Sequence, residues 1–478
     1  MRLLLAACLL LLSQPALAQA LDADQAAGKA LFRMGVGAAG PVGAAVGTGQ
    51  VEVPAASLPC ASCHGRDGRG RPEGAVAPPD ITAPVLRQPA VNRRAYDDAA
   101  IVAAVTLGRG AEGRPLDPVM PRYRLSLADA GHLTSYLKTL GAAPEPGLTP
   151  DRLVLGTILA RPDAPAGRLL QVFFDRLNAA GGLFGRKVEL VVAPPAESPS
   201  AALRRLVADQ PVFALVAPWI AQDERGFADL AEAEDLPVIG AETLRPDAAG
   251  PAPHGLFFLD GGVPAEAQAL AIAAARLGEG RAMIVTAPPF AAPTDRDWAG
   301  TPPQRRMLGA GDAPAALVRE LSGAGIGRIL WLAPGLDAFS AAAVDAGYHP
   351  AMLVPAEFAP TGPAKLPTTL ALRNGPADRT EAGLEAYRDL ARQAGLTDED
   401  RPAQLRALAA ARLLVAALER AGHDVTREKV IAALEATGDF RTGLVPPVSY
   451  GASRRIGSTG AWILSPDGAA TWIDPARR

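Results

Sequence analysis

The sequence predicts a multidomain protein, in which a small all-α domain is followed by a larger, two-lobed α/β fold with doubly wound parallel sheets. Before Gly141, apolar side chains recur at helical spacing on both sides of the pentapeptide at 60–64. Beyond a Pro- and Gly-rich stretch, strand-like runs alternate with helical runs, which is the pattern of βαβ units. The expected boundaries are a signal peptide at 1–18, the all-α domain at 19–141, a linker at 142–151 and the α/β domain at 152–478.

Length and composition agree with several folded units. The chain has 478 residues, of which 49% are hydrophobic, and this is ample for more than one core. The formal net charge of -3 shows no excess of basic residues, so nucleic acid is not an expected partner. Beyond the N-terminal leader, no stretch is apolar over the about 20 residues that a transmembrane helix needs, and we expect no transmembrane segment in the mature chain.

The N-terminal leader has the three parts of a secretory signal peptide. Arg2 supplies the positive charge, 3–12 is the apolar run, and Ala16-Leu17-Ala18 is a cleavage site. A membrane anchor is the alternative, but the apolar run is about half the length that spans a bilayer. Cys8 lies too close to the start to follow a working lipoprotein signal. We therefore expect an exported, periplasmic protein.

The central motif is Cys60-Ala61-Ser62-Cys63-His64. Two thiols three positions apart, followed by an imidazole, form the C-x-x-C-H pattern of covalent c-type haem attachment. Each thiol adds to one haem vinyl group, and the imidazole becomes the proximal iron ligand. A thioredoxin-like redox pair, half of a zinc site and a chance match are the alternatives. The third Cys of the chain is Cys8, so additional thiol ligands for zinc are not at hand.

Helices are expected on both sides of this motif. The segment 22–32 begins with aspartates that can cap a helix, 96–107 has helical spacing, and 126–140 begins with a Ser cap and an Asp three positions later. In contrast, 34–56 is rich in Gly, Ala, Val and Pro and has no helical pattern. We expect this segment to be an inserted irregular loop.

Met120 is the candidate for the second axial iron ligand. It lies in a Pro-bounded loop, where core packing explains a Met poorly, and the chain has only six Met residues. A thioether is a soft iron ligand that favours the reduced state and raises the potential. Met34 and His132 are the rival ligands.

These features belong to one known pattern. The matching positions are Gly28 and Phe32, the run 60–65, Pro78-Pro79, the run 120–126, and Tyr136-Leu137. On these positions, residues 22–141 resemble a class I cytochrome c. The long segment before Cys60 departs from that family.

The resemblance implies one covalent haem c, attached through Cys60 and Cys63, with His64 and Met120 as axial ligands of the iron. It also implies that the first and last helices cross at Gly28. Finally, it implies that a carbonyl of Pro78 or Pro79 accepts a hydrogen bond from the imidazole of His64.

Arginines are frequent in the loops that we expect around the haem. Residues 19–141 contain thirteen Lys or Arg against eleven Asp or Glu. A basic rim would steer an acidic redox partner, whereas the alternative is a solvated surface with some Arg paired to haem propionates. The arginines concerned are Arg66, Arg69, Arg71, Arg93, Arg94, Arg122 and Arg124.

The pattern changes after the linker. Strands and helices alternate over 153–241 and again over 265–355, which predicts two lobes with parallel sheets covered on both faces. Three further helical runs are expected to return to the first lobe, and a turn-rich, β-like run ends the chain: 381–394, 402–421, 426–436 and 448–473.

One signature in this half is specific. After the strand-like run 154–159, the stretch Asn178-Ala179-Ala180-Gly181-Gly182-Leu183-Phe184-Gly185-Arg186-Lys187 ends the first helix and turns into the second strand. Its glycines permit left-handed backbone at the helix end, so the motif is structural. Over about residues 152–475, this half resembles the periplasmic binding proteins of the branched-chain amino-acid type. The resemblance implies two α/β lobes that close over a small solute by hinge motion.

The expected ligand cleft departs from that family. Members that bind amino acids use Ser or Thr hydroxyls after the first and third strands, whereas the loops 160–165 and 217–221 lack them. Pro-rich sequence replaces a full helix between Ala287 and Met307, so an amino-acid ligand is not expected. The candidate cleft residues are Arg161, Asp163, Trp219, Glu242 and Glu357. Trp219 is the best placed to stack on a solute, and ordinary loop surface is the alternative for each.

These patterns predict an electron carrier and binding protein rather than an enzyme, since no catalytic motif is found in the chain. Its expected partners are a redox protein, such as a periplasmic quinoprotein dehydrogenase or a terminal oxidase chain, and a small-molecule solute. The first alternative is the substrate-binding component of an ABC transporter with an accessory haem domain. The second is a redox-responsive sensor or scaffold.

Overall fold

The structure is a computed structural model that describes residues 21–70, 77–274, 280–298 and 301–477. The expected signal peptide at 1–18 and Arg71 lie outside these residues. The chain divides between Pro146 and Gly147 into two compact units, and this division lies inside the segment 142–151. In the described part of the chain, no helix combines the length and apolarity needed to span a bilayer.

The first unit is mainly helical. Its helices are α1 (Ala23–Met34), α2 (Cys60–His64), α3 (Ala83–Leu86), α4 (Asp98–Leu107) and α5 (Leu127–Leu137). Asp22 caps α1 in a capping box with Gln25, and Ser126 caps α5 through the backbone N–H of Asp129. The predicted helices at both ends of this unit are therefore present, and their caps are the expected ones.

Helices α1 and α5 cross in close contact and build the core of the first unit. A Cβ atom at Gly28 would lie 2.0 Å from the carbonyl oxygen of His132. Next to this point, the rings of Phe32 and Tyr136 pack with their centroids 5.5 Å apart. The crossing is therefore possible because residue 28 has no side chain.

The segment before the C-x-x-C-H motif forms strands of two small sheets, so the prediction of an irregular loop was wrong. Its short strands are β1 (Val36–Gly37), β2 (Gly40–Pro41), β3 (Gly43–Val46) and β4 (Val51–Pro54). β1 and β2 pair only with each other, whereas β5 (Arg122–Tyr123) joins β3 and β4 from later in the chain. β3 pairs with both β4 and β5 in antiparallel register. Small and β-branched residues fit these strands, and only the distant β5 completes the sheet.

The second unit alternates strands and helices, as predicted. Its strands are β6 (Arg152–Thr157), β7 (Lys187–Val192), β8 (Ala214–Val216), β9 (Val238–Ile239), β10 (Leu256–Asp260), β11 (Arg281–Thr286), β12 (Gln304–Met307), β13 (Ile326–Leu332), β14 (Ala351–Pro355), β15 (Thr368–Leu372), β16 (Ile456–Ser458), β17 (Ala461–Leu464) and β18 (Ala470–Ile473). Its helices are α6 (Pro165–Ala179), α7 (Pro199–Asp209), α8 (Glu224–Ala233), α9 (Gly262–Ala273), α10 (Pro314–Gly323), α11 (Leu336–Asp345), α12 (Glu381–Gln393), α13 (Arg401–Ala421) and α14 (Arg427–Glu435).

The first lobe has a parallel sheet in the order β16-β10-β9-β8-β6-β7. Its two faces carry separate apolar cores. Helices α6 and α13 cover one face through side chains such as Phe174 and Leu408, while α7 and α8 cover the other through side chains such as Leu203 and Phe227. The late helix α13 therefore returns to the first lobe, as the sequence predicts.

The second lobe has a sheet in the order β12-β11-β13-β14-β15-β17-β18, in which β17 and β18 run antiparallel to the rest. The chain crosses from the first lobe to the second after β10 and returns to the first lobe after β15. It crosses to the second lobe again between β16 and β17. In the described residues between Ala287 and Gln304, a 3₁₀ turn at Asp295–Asp297 replaces the crossover helix.

The signature stretch at 178–187 connects the end of α6 to the start of β7 through side-chain hydrogen bonds and a glycine turn. The Asn178 side chain donates to the carbonyl oxygen of Val188 (2.7 Å) and accepts from its N–H (2.8 Å). Gly181 and Gly182 then have φ values of 109° and 72°. These contacts agree with the structural role predicted for the motif.

Candidate functional site

The C-x-x-C-H motif forms one short helical turn. α2 covers Cys60–His64 and begins behind Pro59. Residues three apart lie on the same side of a helix, so the two Cys side chains are neighbours. Cys60 is half-buried, Cys63 is exposed, and neither takes part in a disulfide. The two thiols are therefore available on one side of the turn.

His64 has a defined orientation and tautomer. Its residue is 8% exposed, and Nδ1 lies 3.1 Å from the carbonyl oxygen of Pro79. Because a carbonyl only accepts, Nδ1 carries the proton and Nε2 keeps its lone pair. Burial lowers the pKa of His64, against the effect of the Pro79 carbonyl. The imidazole is therefore neutral, which is the form that binds a metal.

The chain after His64 folds back so that Pro79 reaches the imidazole. The N–H of Gly70 donates to the carbonyl oxygen of His64 at 2.8 Å, and the N–H of Ile81 donates to that of Gly68 at 2.7 Å. Gly70 has a φ of 85°, and a Cβ there would lie 2.2 Å from the carbonyl oxygen of Pro78. Of the two prolines that the resemblance offers, the acceptor is Pro79.

Two of the alternatives for the Cys pair find little support. Burial raises the pKa of the Cys60 thiol to about 11, whereas thioredoxin-like pairs depend on a lowered thiol pKa. For a zinc site, three or more ligating side chains would have to converge, and no such group of His, Cys, Asp or Glu exists among the described residues. The residues around α2 therefore fit a c-type haem best.

Met120 lies half-buried against the core of the first unit. The Arg122 side chain holds its loop by donating to the carbonyl oxygens of Met120, of Leu116 (2.9 Å) and of Asp117 (3.2 Å). Of the rival ligands, Met34 is 57% exposed, and Nε2 of His132 lies 3.5 Å from a carboxylate oxygen of Asp24.

The sheet of β3, β4 and β5 connects this loop to the motif. The N–H of Gly47 donates to the carbonyl oxygen of Pro118 at 2.9 Å, and β3 pairs with Arg122 and Tyr123. The Tyr123 hydroxyl in turn donates to the carbonyl oxygen of Leu58, two residues before Cys60. The inserted sheet therefore contacts the Met120 loop on both sides of the methionine.

The arginines around this site are largely engaged within the unit. Their partners are Asp67 for Arg69 (3.7 Å), Glu112 for Arg94 (3.2 Å), Glu52 for Arg124, and backbone carbonyls for Arg93 and Arg122. The two opposite charges of such an exposed pair largely cancel when they are seen from a distance. They favour an internally paired surface over a basic field that steers a partner.

A second candidate site is a cleft at the carboxyl ends of the first lobe's strands. The loops after β6, β8 and β9 and the start of α13 enclose about 200 Å³. Open α/β sheets bind ligands at this edge. Most of the wall is apolar: Ile158, Leu159, Ala164, Pro165, Ala217, Leu244, Ala403 and Ala407.

Three of the five predicted cleft residues line this wall, namely Arg161, Trp219 and Glu242. Asp163 does not, because its side chain is 83% exposed and pairs with Arg161 from outside. Glu357 does not either, because it lies behind Arg373, with which it pairs. The sequence order of the loops could not distinguish the wall from the layer behind it.

Each guanidinium group of the wall already faces carboxylates. Arg161 contacts Asp163 (3.2 Å), Glu399 (2.6 Å) and Asp400 (2.7 Å). Nε of Arg406 donates to both carboxylate oxygens of Glu242, at 3.0 and 2.8 Å. Arg373 contacts Asp260 (3.3 Å) and Glu357.

A fully buried carboxyl group, Glu266, lies beside the Arg373 pair. Burial, together with the charge of Glu357, raises the pKa of Glu266 well above its ordinary value. Although burial opposes it, Arg373 lowers the pKa of Glu357. Glu266 is therefore protonated, and neither of its carboxyl oxygens has a hydrogen-bond partner among the described residues.

The sequence analysis missed Arg373, Arg406, Asp260, Asp400 and Glu266. Glu266 had a signal, because it is the single charged residue of the helix Gly262–Ala273, whose sequence is otherwise apolar apart from a Gln. The other four are ordinary charged residues at element ends, and no local pattern marks them.

Family models match two parts of the chain. The cytochrome c model matches residues 55–141, and the periplasmic binding protein model matches residues 164–295. A search of curated proteins found no match. The cytochrome c match implies haem c as the cofactor, in agreement with the motif at 60–64.

Solved structures that are similar to the chain include substrate-binding proteins of ABC transporters. A branched-chain amino-acid ABC transporter protein from Thermus thermophilus with bound valine is 16% identical to the chain, with a TM-score of 0.52. The match covers 68% of this chain and 95% of that protein. A substrate-binding protein from Desulfitobacterium hafniense in complex with Leu is 18% identical to the chain, with a TM-score of 0.53. The match covers 68% of this chain and 100% of that protein.

A fatty acid ABC transporter substrate-binding protein from Thermomonospora curvata is 17% identical to the chain, with a TM-score of 0.50. The match covers 70% of this chain and 94% of that protein. At these identities the likeness shows the fold alone. Together with the two family matches, it confirms the predicted fold class. The chain consists of a cytochrome c domain followed by an α/β domain of the periplasmic-binding-protein type, with parallel sheets.

Proposed function

We propose that the protein is a periplasmic monohaem electron carrier whose second domain binds a solute or docks a partner. The observation that carries this proposal is the state of His64. Its neutral imidazole is buried beside two free thiols, Nδ1 is engaged by Pro79, and Nε2 is left to bind iron.

The residues of the first domain have distinct roles in this proposal. Haem c, when bound, supplies a one-electron iron couple. Cys60 and Cys63 would hold the porphyrin through thioether bonds, and His64 and Met120 would be the axial ligands. The apolar core around Met120 limits the access of water, which together with a thioether ligand favours the reduced iron.

The proposed location and redox partners rest on the kind of domain rather than on a contact. Both matched families are typical of periplasmic proteins, and the leader at 1–18 has the pattern of an export signal. By analogy, we propose a periplasmic quinoprotein dehydrogenase as electron donor and the respiratory chain, ending in a terminal oxidase, as acceptor. The protein would then be an electron-accepting subunit and not itself an enzyme.

The second candidate function is the substrate-binding component of an ABC transporter with an accessory haem domain. The similarity of the second domain to such components supports it. Against it stands the cleft, whose loops after β6 and β8 lack the hydroxyls that hold an amino acid. A redox-responsive sensor would need the cleft and the haem to influence each other.

A visible spectrum and a mass of the purified periplasmic protein test the first function. We expect an added porphyrin mass, and absorption bands that sharpen on reduction. Met120→Ala should abolish the weak long-wavelength band that a thioether ligand gives oxidised haem c, whereas His132→Ala should retain it. Colourless protein, or a mass without porphyrin, would contradict the proposal.

Electron transfer and solute binding are then separated by two measurements. Reduction of the haem by a catalytic amount of purified quinoprotein dehydrogenase supports the electron-carrier function. A haem potential that shifts when a solute saturates the cleft supports the sensor, and binding without any shift supports the transport component.

A further inference from the structure

We propose that the cleft of the second domain binds a small organic cation with an aromatic ring and rejects solutes that carry a carboxylate. This inference rests on the proposed solute-binding role of the domain and specifies the chemistry of the solute. It follows from the charges of the wall and from the position of Trp219.

Every guanidinium group of the wall is already paired with a carboxylate of the protein. Its three guanidinium groups belong to Arg161, Arg373 and Arg406, and each one already contacts at least one carboxylate of the protein. Arg373 and Arg406 are 10% and 13% exposed. An anionic solute would have to take one of them from its partner and leave a carboxylate unpaired in a poorly solvated place, which is costly.

Acidic groups outnumber the basic ones around the cleft. The three guanidinium groups are paired with six carboxylates, which are those of Asp163, Glu242, Asp260, Glu357, Glu399 and Asp400. An excess of negative charge beside an apolar wall raises the local concentration of cations and lowers that of anions.

Asp400 offers a place for the positive charge. It lines the cleft, and its Oδ2 accepts from Arg161 at 2.7 Å. Among the described residues, its Oδ1 has no hydrogen-bond partner, and the side chain does not cap α13 although it precedes that helix. An ammonium group can therefore reach a carboxylate oxygen that the fold does not use.

Trp219 offers a place for the ring. Its backbone is fixed by a bridge to Glu242 and by a 2.8 Å hydrogen bond from its N–H to the carbonyl oxygen of Ile158. The half-buried Trp219 lines the cleft. An indole face stacks on aromatic rings and attracts cations, and the other apolar residues of the wall are aliphatic.

Three probes with the same ring and different charges test the inference. Isothermal titration calorimetry of the full-length holoprotein with benzylamine, benzyl alcohol and benzoate should give binding in that order, with no measurable heat for benzoate. Asp400→Asn should weaken benzylamine about tenfold and leave benzyl alcohol nearly unchanged. Trp219→Ala should weaken both probes, and Glu385→Gln, an exposed change of the same charge, should weaken neither.

The outcomes distinguish the inference from the function on which it rests. Benzoate binding as tightly as benzylamine, or an Asp400→Asn variant that binds benzylamine normally, would overturn the inference alone. If no probe binds while the variants melt like the wild type, the solute-binding role fails and the inference fails with it. The haem spectrum, which tests the electron-carrier function, does not depend on any of these results.

Discussion

Gly28 illustrates, at the scale of single residues, how closely the first domain is packed. A Cβ at this position would lie 2.0 Å from the backbone of His132 and 2.7 Å from Cβ of Tyr136. Backbone atoms on both helices cannot move aside without displacing α1 from α5. The helix pair therefore depends on a residue that contributes no side chain.

We expect Gly28→Ala to destabilise the first domain by about 1–3 kcal/mol or more, because the added methyl group overpacks the crossing. The matched control is Gly131→Ala in α5, where a Cβ meets nothing within 4 Å. This control should stabilise the domain by about 0.5–1 kcal/mol through helix propensity. Thermal unfolding followed by haem absorbance measures both, and equal effects of the two changes would contradict the packing argument.

Glu266 is the second informative residue, because its environment opposes its charge. It is fully buried in α9 beside the negative charge of Glu357, and it remains protonated. In the unfolded chain its pKa returns to the ordinary value of 4.5. Between these two pKa values the folded state binds more protons than the unfolded state, so stability falls as the pH rises.

We therefore expect Glu266→Gln to gain stability over the wild type as the pH increases. At pH values below about 4.5, Glu266 is protonated in both the folded and the unfolded state, and the pH-dependent difference vanishes. As the pH rises above this value, the variant should melt at a progressively higher temperature than the wild type. Trp fluorescence measures the transition, and Glu385→Gln is the exposed control. A difference that is independent of pH, or that shrinks as the pH rises, would contradict a buried proton at Glu266.

At the scale of elements, the inserted sheet is the feature that distinguishes the first domain. β3 pairs with β5, and Gly47 reaches Pro118, so the sheet contacts the Met120 loop before and after the methionine. The Arg122 side chain closes the same loop from within. Rigid support of this kind would keep the Met120 thioether in position for the proposed iron ligation.

We expect Arg122→Ala to loosen the Met120 loop and to lower the fraction of oxidised protein that has the thioether band. The reason is that three backbone carbonyls lose their common donor. Arg114 is an exposed arginine in the same segment between α4 and β5. Its replacement, Arg114→Ala, removes the same charge and should leave the band unchanged. Optical spectra across a pH titration measure the ligand exchange. Identical spectra for both variants would show that Arg122 does not position the methionine.

At the scale of the whole molecule, the two lobes of the second domain share buried charges. Asp260 ends β10, where the chain leaves the first lobe, and Arg373 follows β15, where the chain leaves the second. Their contact of 3.3 Å, together with Glu357, connects two crossings between the lobes. The pair therefore joins two of the segments that connect the lobes.

We expect Arg373→Met to destabilise the second domain by about 3–5 kcal/mol, because removal of one partner leaves buried carboxylates unpaired. Arg388→Met breaks an exposed pair with Glu381 and should change stability little. All five Trp residues lie beyond residue 147, so Trp fluorescence during urea unfolding reports on this domain. Equal midpoints for the two variants would refute the buried-charge argument.

Local patterns of the sequence were sufficient for much of this protein. The spacing of Cys60, Cys63 and His64 specifies a chemical site within one helical turn, since all three residues are neighbours in the chain. The βαβ alternation and the run at 178–187 predicted the second domain, because periodicity and helix termination depend on nearby residues. These predictions involve distances of a few residues, and a sequence displays such distances directly.

Only the tertiary structure decided which distant residues meet. Arg122 and Tyr123 complete a sheet that begins at Gly43, which turned an expected loop into strands. Arg406 reaches Glu242 across 164 positions, and Arg373 reaches Asp260 across 113, so the charged groups of the cleft have partners from elsewhere in the chain. The physical reason is that pairing, burial and pKa depend on neighbours in space. Packing brings those neighbours together, and the local sequence around each residue does not contain them.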